Sequence, residues 1–485
     1  NTRNLTEYVN GIDHLKTCIK PFSAERVQTH CGIEAPRIRA LARALANASQ
    51  AAVYGRMGTC VQAYGSVNSW LIDALNVVTG NLDAPGGVMF PRSVAFGANV
   101  HAPAGAPPGV GKGVQTGRHK SRVSGAPEVY GELPITCLAE EIETPGTGQV
   151  RAIISVASNP VLSAPDGPRL SKALEQLEFM VSVDIYLNET TRHADVILPG
   201  LSPLEEFHYD VAFAQLSYRN HARASLPVFE PPADQMPEWT TLLRLSGLVE
   251  GRGSAIAPET LDDEDVQRLL GPHADTVMPT LDQHKGPRRR VDIALRQSGL
   301  SLADVLQAQY GMDLGELDSR IPEVLRTPSG KIELAPTALV DDLQRAVLAL
   351  EHDASTNMQI IGRRDVRSNN SWMHNLPTLA KGPQRCTLMV NPVDAARLGL
   401  RQACIAQVRS AHGQVQVPVE ISDTIMPGVV SLPHGWGHDL PGACLQVASK
   451  NAGANLNALL SNELRDPLSG NAVLNGISVE VFVTA

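Results

Sequence analysis

The sequence predicts an α/β protein, with Rossmann-like parallel-sheet layers followed by a β-rich barrel at the C-terminal end. Three observations predict it. Apolar runs at 150–156 and 179–183 flank a turn and a helical stretch, the order expected of parallel strands joined by a crossover helix. A shorter run at 51–54 enters a glycine turn and then another helical stretch, a second strand–turn–helix unit. From 405 to 432, short alternating segments are separated by glycine turns, the pattern of a hairpin and a further strand. The expected division is 1–145 (a partial α/β unit with a long Gly/Pro loop), 146–356 (the Rossmann-like unit with a helical insertion) and 357–485 (the barrel).

Composition bounds the function. A chain of 485 residues holds about three or four domains, and 43% hydrophobic with 19% charged residues describes a globular protein with large cores. Forty-one basic against 50 acidic side chains give a net charge of −9, which argues against general nucleic-acid binding. The basic cluster Lys285 to Arg290 is expected to be a solvated loop. Seven scattered cysteines include no C-x-x-C, so neither a zinc nor an iron–sulfur site is written in this chain. Their odd, dispersed count suggests reduced thiols and a cytoplasmic setting. No apolar run is long enough for a bilayer span. The polar start, Asn1-Thr2-Arg3-Asn4-Leu5, does not read as a signal peptide, and without an initiating methionine the chain is expected to belong to a longer one.

In order, Glu34-Ala35-Pro36-Arg37 starts a helix with proline in its first turn, and Ile38, Leu41, Ala44 and Leu45 recur at helical spacing. Residues 51–54 read as a buried strand, 55–60 as the glycine turn, 69–79 as the helix and 80–87 as its closing turn. Residues 88–130, rich in Gly, Pro, Ala and Ser, read as a long crossing loop. Gly109, Gly111 and Gly113 do not make a phosphate loop there, since no strand precedes them and no clear helix follows. In the second block, the strand at 150–156 ends in Ala157-Ser158-Asn159-Pro160, a turn able to cap a following helix. A helix at 169–177, a strand at 179–184 and a third strand into Pro199 follow. The acid closing the second strand, Asp184, can accept paired hydrogen bonds from a ribose diol or a guanine edge. Residues 231–320 read as a helical insertion and 340–356 as a helical, charged linker. In the last part, 391–398 is a short helix with Gly399 as its C-cap, 405–410 and 415–421 form the hairpin, and Pro427-Gly428 precedes a strand at 429–432.

One stretch concentrates fixed donors. A strand-like run at 358–361 feeds directly into Gly362-Arg363-Arg364-Asp365-Val366-Arg367-Ser368-Asn369-Asn370-Ser371-Trp372-Met373-His374-Asn375. Arginine and asparagine offer planar, paired hydrogen bonds to a heterocycle edge or a phosphate, as a cofactor with fused rings and a pyrophosphate would require. The tail adds His434-Gly435-Trp436-Gly437-His438, Gly453-Ala454-Asn455-Leu456-Asn457 and Asp466 to Asn471, where glycine lets backbone approach a ligand closely.

These blocks resemble the C-terminal, dinucleotide-binding module of the molybdopterin oxidoreductase superfamily, whose members carry a bis(molybdopterin guanine dinucleotide) cofactor. Ser158-Asn159-Pro160, Asp184, Glu189-Thr190 and Ala194-Asp195-Val196-Ile197-Leu198-Pro199 are similar to a second family pattern. Met57-Gly58 with Thr79-Gly80-Asn81 and Pro85-Gly86-Gly87 carries the resemblance towards the N-terminus, and Thr327 to Leu334 looks like the family's entry into its last domain. The resemblance covers most of the chain and is weakest over 88–145 and 231–320. The chain departs from the family at Leu204-Glu205-Glu206-Phe207-His208-Tyr209, where a glycine-threonine is missing; Phe207, His208 and Tyr209 either shape a funnel wall or pack.

The resemblance implies a six-stranded double-psi barrel and a molybdenum or tungsten centre held by two pterins. It implies that Ser158, Asn159, Asp184, Thr190 and Asp195 contact one guanine nucleotide. Gly362, Arg363, Arg364, Ser368, Asn369, Asn370 and Trp372 are implied to hold the second nucleotide or its pterin, the arginines neutralising pyrophosphate. His374 is implied to reach the pterin or the substrate. His434, Gly435, Asn455, Asn457 and Asn471 would close the cleft. The metal ligand and a 4Fe-4S cluster are implied upstream, with no metal ligand in this chain. Cys60 is a pocket-wall or packing residue rather than a ligand. The implied activity is two-electron redox of a small substrate, formate dehydrogenase-like or similar to assimilatory nitrate reductases, with an electron-transfer partner. The alternatives are a complex I-like scaffold subunit and a non-redox hydratase that keeps the cofactor.

Overall fold

A computed structural model describes residues 3–97, 116–352 and 357–484. Helix α1, Ala35–Asn47, starts as expected with proline in its first turn. Its apolar stripe finds little to cover it, and Leu41 is exposed. Residues 51–54 are neither a strand nor buried, and Tyr54 is exposed. The Asn76 side chain does what a neighbouring strand would do: its Oδ1 accepts from Val53 N–H at 2.9 Å and its Nδ2 donates to Val53 C=O at 2.8 Å. Asn76 lies on helix α2, Gly65–Val78, which begins four residues before the predicted start. Part of the predicted crossing loop is a small antiparallel pair, Thr116–Lys120 with Pro127–Val129. The glycines at 109, 111 and 113 lie outside the described residues.

The Rossmann-like block is a three-stranded parallel sheet of β1, Ala152–Val156, β2, Phe179–Val183, and β3, Val196–Leu198, in that spatial order. Helix α3, Gly167–Leu174, crosses between β1 and β2 and packs Leu170, Ala173 and Leu174 on Ile153 and Met180. After the sheet come α4, Glu238–Val249, α5, Pro258–Leu270, and α6, Pro287–Arg296, which bear out a helical insertion. The basic cluster at 285–290 is not a solvated loop. Arg289 and Arg290 pair with the fully buried Asp262 on α5, whose Oδ2 also accepts from Gly286 N–H at 2.9 Å. Lys285 reaches Asp263 at 2.5 Å. A run of acids on one helix thus meets a run of bases at the start of a later one, and burial of Asp262 is compensated by two guanidinium groups. Phe207 lies beneath the Arg288 guanidinium, and Tyr209 is buried in the core beside Val291 and Leu295, so these two pack.

Helix α7, Thr337–Ala349, is more than a linker. Its Val340 and Leu343 share a core with Val67, Trp70 and Val77 of α2, and Trp70 Nε1 donates to Leu334 C=O at 3.0 Å. The strand pair Val9–Asn10 and Ile332–Glu333 joins the same body.

The C-terminal part is a closed six-stranded barrel. Its strands are β4, Met358–Arg363, β5, Leu388–Val390, β6, Ile405–Arg409, β7, Gln414–Ile421, β8, Val429–Pro433, and β9, Ile477–Val483, in the spatial order β4-β8-β5-β7-β6-β9. Two-residue alternation sends Ile360, Val408, Val417, Val419 and Val479 inward, each at most 2% exposed, while Gln359, Gln407, Gln416 and Glu480 face out. Each fully buried aliphatic side chain is worth roughly 1.5–3 kcal/mol, enough together to close the barrel over weak strand propensities. Helix α8, Pro392–Leu398, has the expected C-cap, Gly399 at φ 68. Among the described residues no helix is long and apolar enough to cross a membrane.

Replacing Asp262 by Asn leaves two guanidinium groups with one buried acceptor fewer. Loss of one partner from a buried pair costs about 3–5 kcal/mol. Limited proteolysis should then cut the segment between residues 238 and 307 first, and cleavage as slow as in the parent would contradict the account.

Candidate functional site at the seam between sheet and barrel

The site is built where two parallel barrel strands end side by side. In the β4/β8 pairing Gly362 faces Leu432 and Arg363 faces Pro433, and His434 N–H donates to Arg363 C=O at 3.0 Å. Arg364 and His434 therefore leave the barrel from one edge. Neither side chain has a hydrogen bond or ion pair among the described residues. Burial and then the charge of Arg364 push the His434 imidazole down to about 4.

The neighbouring arginine behaves differently. Arg363 donates to Ser431 C=O and, at 2.8 Å, to both the carbonyl and hydroxyl of Thr387, so its guanidinium ties barrel strands together. In this structure the side chain expected to neutralise pyrophosphate braces the barrel.

The following loop is shaped by close backbone approach. Asn369 and Asn370 both adopt left-handed backbone, φ 41 and 62. Gly435 has φ +92, and a Cβ there would sit 2.2 Å from Asn370 C=O. Three side chains of this loop remain free, since Asn369, Asn370 and the exposed Trp372 have no side-chain partner among the described residues, whereas Ser368 is buried and its hydroxyl donates to Asp365 C=O at 3.0 Å. Gly362 N–H donates to Asn475 Oδ1 at 2.8 Å, and Leu474 and Asn475 N–H donate to Val61 C=O at 3.0 and 3.2 Å. The tail thus pins the 57–61 turn beside the strand edge. Cys60 Sγ lies 3.9 Å from Ser69 Oγ, and Cys60 is half-buried.

On the sheet side, the expected ligand residues are largely engaged with one another. Thr190 Oγ1 donates to Asn159 Oδ1 at 2.7 Å and accepts from Val161 N–H at 3.0 Å. Asn159 Nδ2 donates to Glu189 Oε2 at 2.6 Å. Asp184 accepts from Tyr186 N–H at 2.9 Å and Asn188 Nδ2 at 3.1 Å, and burial pushes its carboxyl up. Asp195 accepts from Met180 N–H at 2.8 Å, at the N-terminal edge of the sheet and away from the strand ends that carry Ser158 and Asp184. Asn159, Thr190 and Asp195 thus each hold neighbouring protein groups in place; Ser158 is exposed and its hydroxyl has no partner among the described residues.

What joins the two halves is a buried chain of groups. Glu189, fully buried, faces His438 Nδ1 through Oε1 at 3.0 Å, and His438 Nε2 faces His374 Nδ1 at 2.9 Å. The His374 ring lies against Trp436, the ring planes tilted by 38° and the centroids 4.1 Å apart. Burial pushes the Glu189 carboxyl up, but the His438 hydrogen bond and charge, with Asn159, hold it on balance below the usual glutamate value. Burial, then His438, push His374 down to about 4. Four further bonds among the described residues cross the same seam: Arg192 to Pro441 C=O at 2.6 Å, Cys444 N–H to Leu187 C=O at 2.7 Å, Asn457 Nδ2 to Leu162 C=O at 2.8 Å and Asp166 N–H to Asn457 C=O at 3.2 Å. Asn457 is thus a docking residue. Asn455 caps the short helix that follows it. Asn471 is an exposed turn residue; the buried carboxylate of that turn is Asp466, which accepts from Ser66 N–H and Oγ–H at 2.9 and 2.6 Å.

Sequence reasoning missed Glu189, His438, Asp466 and Asn475 as organising groups. The first two stood inside quoted motifs, the E-T pair and the second histidine of H-G-W-G-H.

Two cavities border the seam. A small one, with about 20 Å³ of room for water centres, is lined by His374, Trp436, Asp365, Arg367, Arg385 and Asn451 among others. A larger cleft of about 580 Å³ lies between α3 and the barrel, lined in part by Ser171, Lys172, Arg192 and Gln416, and of the residues expected to bind cofactor it receives Asn455. Among the described residues no cluster of three or more His, Cys, Asp and Glu side chains has the arrangement of a metal site.

Folded His374 and His434 resist protonation down to about pH 4, whereas their unfolded reference value is 6.5. Between those values the unfolded chain binds more protons, so the stability these groups confer is complete above that window and is lost as pH falls through it. Denaturation midpoints should fall from pH 6.5 to 4, less steeply in His434→Gln; a flat profile would contradict these burial assignments.

Comparison with known proteins adds a family. The family model described as Molybdopterin oxidoreductase matches residues 33–248, and that described as Molydopterin dinucleotide binding domain matches 358–478. The chain is 25% identical over 492 residues to the F420-dependent formate dehydrogenase 2 subunit alpha of Methanococcus maripaludis, covering 99% of this chain and 64% of that protein. It is 24% identical over 453 residues to formate dehydrogenase H of Escherichia coli, covering 91% of this chain and 58% of that protein. The chain therefore spans less than two thirds of the length of either relative. Its fold is similar to that of acetylene hydratase from Pelobacter acetylenicus, with a TM-score of 0.70 at 17% identity, over 100% of this chain and 67% of that one. The matched residues contain both the parallel-sheet loops and the strand edge that meet at the seam, and the chain belongs to the molybdopterin oxidoreductase family.

Proposed function

We propose that this chain is the larger part of a molybdenum or tungsten enzyme that uses a bis(molybdopterin guanine dinucleotide) cofactor to exchange two electrons with a small substrate, with formate as the first candidate. The observation that carries this reading is the paired strand edge of β4 and β8, where Arg364 and His434 emerge together without protein partners beside Gly435 and the Asn369–Asn370 loop. A cationic guanidinium, a neutral imidazole and free amides on a tightly folded loop suit a group that combines pyrophosphate with a polar fused heterocycle. The residues present therefore fit the group.

In this reading Arg364 neutralises phosphate charge, and Asn369 and Asn370 present planar amides to a ring edge. Trp372 offers a stacking face. Across the seam, Ser158 supplies a free hydroxyl from the turn that Asn159 holds in place. Gly435 is required because any Cβ would meet the Asn370 carbonyl. When bound, the cofactor supplies the redox chemistry, and the protein supplies binding, orientation and the exclusion of water. The metal ligand and a 4Fe-4S cluster would come from polypeptide outside this sequence, and electrons would pass to a partner protein. The relatives named formate dehydrogenase support formate as substrate at the level of family likeness.

Protein produced with cofactor supplied should contain molybdenum or tungsten with two pterins per chain and should reduce an artificial electron acceptor with formate. Arg364→Ala should lower cofactor retention by about ten- to a hundredfold, since a charge-assisted hydrogen bond contributes roughly 1.5–3 kcal/mol. Elemental analysis that finds neither metal would reject the proposal.

A further inference from the structure

Two buried nitrogens at the seam have no hydrogen-bond partner among the described residues: His374 Nε2 and Trp436 Nε1. Their residues are 7% and 5% exposed, and both line the small cavity, which has room for about one water. The Gly435 carbonyl also lies near the His374 ring, outside hydrogen-bond geometry. Behind His374 the contacts run unbroken to a carboxylate: His374 Nδ1 to His438 Nε2 at 2.9 Å, and His438 Nδ1 to Glu189 Oε1 at 3.0 Å. The other Glu189 oxygen faces the neutral Asn159 amide. The nearby Arg192 guanidinium contacts the Glu189 backbone carbonyl and Ser171, and the charged groups around His374, namely Asp365, Arg367 and Arg385, lie on the cavity side.

That arrangement constrains where protons sit. Glu189 accepts from His438 Nδ1–H. If His438 carries no second proton, the buried chain holds one uncompensated negative charge, which costs several kcal/mol in effective terms. If His438 Nε2 is also protonated, it donates to His374 Nδ1, Glu189 has its counter-charge, and His374 is neutral with its proton on Nε2, pointing to the cavity. The two states differ by one proton and keep the same hydrogen-bonded contacts.

We propose that Glu189, His438 and His374 form a proton relay through the seam, which holds one proton on His438 and exchanges it with water in the Trp436 cavity through His374 Nε2. In the outward direction the His438 Nε2–H bond breaks and its proton passes to His374 Nδ1, leaving His438 neutral and still donating to Glu189. The His374 Nε2–H bond then breaks, and a cavity water takes that proton. The chain changes from net charge zero to minus one, and uptake reverses each transfer. Glu189 and His438 are positioning residues; His374 is the exchanging group. The use of this proton in a two-electron reaction rests on the redox reading above, but the relay itself does not require bound cofactor.

Nitrogen-15 spectra of histidine-labelled protein test it directly. Near neutral pH, His438 should carry protons on both nitrogens and His374 on Nε2 alone; a singly protonated His438 would overturn the proposal. Glu189→Gln should remove the second proton from His438, and its retention would overturn the proposal. His374→Gln can still accept from His438 but cannot pass a proton on. Exchange of the His438 protons with water should then slow by about a hundredfold or more, the scale of general acid–base assistance. Unchanged exchange would leave a structural latch instead of a relay. The wild-type measurement stands even if a variant misfolds, and none of these spectra depends on the metal, so failure here and failure of the redox reading are distinguishable.

Discussion

The Glu189 carboxylate is fully buried, and the histidine that hydrogen-bonds it, His438, comes from a different part of the fold. A buried, uncompensated carboxylate costs several kcal/mol, so the loop after β2 and the barrel loop holding His438 are stable when they meet. Everything at the site follows from that contact. It holds His374 through His438, lays it against Trp436, and sets the Asn159–Thr190 pair behind it. The seam bonds of Arg192, Cys444 and Asn457 add a few tenths to one or two kcal/mol each, as ordinary hydrogen bonds do. None of them anchors a buried charge.

With the seam fixed, the strand edge divides its side chains into braces and free groups. Arg363 and Arg364 are adjacent in sequence, Arg363 closing β4 and Arg364 lying just beyond it. One is absorbed by Ser431 and Thr387 inside the barrel wall, and the other projects unpaired beside His434. Glycine at 435 then lets two loops touch backbone to backbone, which brings the free amides of Asn369 and Asn370 to the same edge.

Much of this was legible in the sequence. The parallel sheet, the helical insertion, the barrel hairpin and the Gly399 cap were readable because apolar period and turn chemistry are local signals. The family resemblance was readable from motifs that lie far apart in the chain. The failures share one physical cause, which is that a residue type announces its capacity but not its partner. Arg363, Asn159, Thr190 and Asp195 have the chemistry of ligands, and the hydrogen bonds each also makes within the protein could not be read from residue type. The bases at 285–290 looked solvated because their acids, at 262–265, lie about two helical segments earlier. Residues 51–54 looked like a strand, since nothing local says that the Asn76 amide takes the place of a neighbouring strand. Glu189 and His438 were visible letter by letter, but 249 residues separate them, and their pairing is a property of the fold.

The central claim is that the β4–β8 edge and the Ser158 turn face one cofactor across a seam welded by Glu189 and His438. Amide hydrogen exchange compared between cofactor-free and cofactor-loaded protein tests it most directly. The account predicts that protection rises together in three places on loading: residues 157–159, 362–375 and 434–438. Protection confined to one side of the seam, or appearing at the α3 cleft while these three segments stay unchanged, would contradict it.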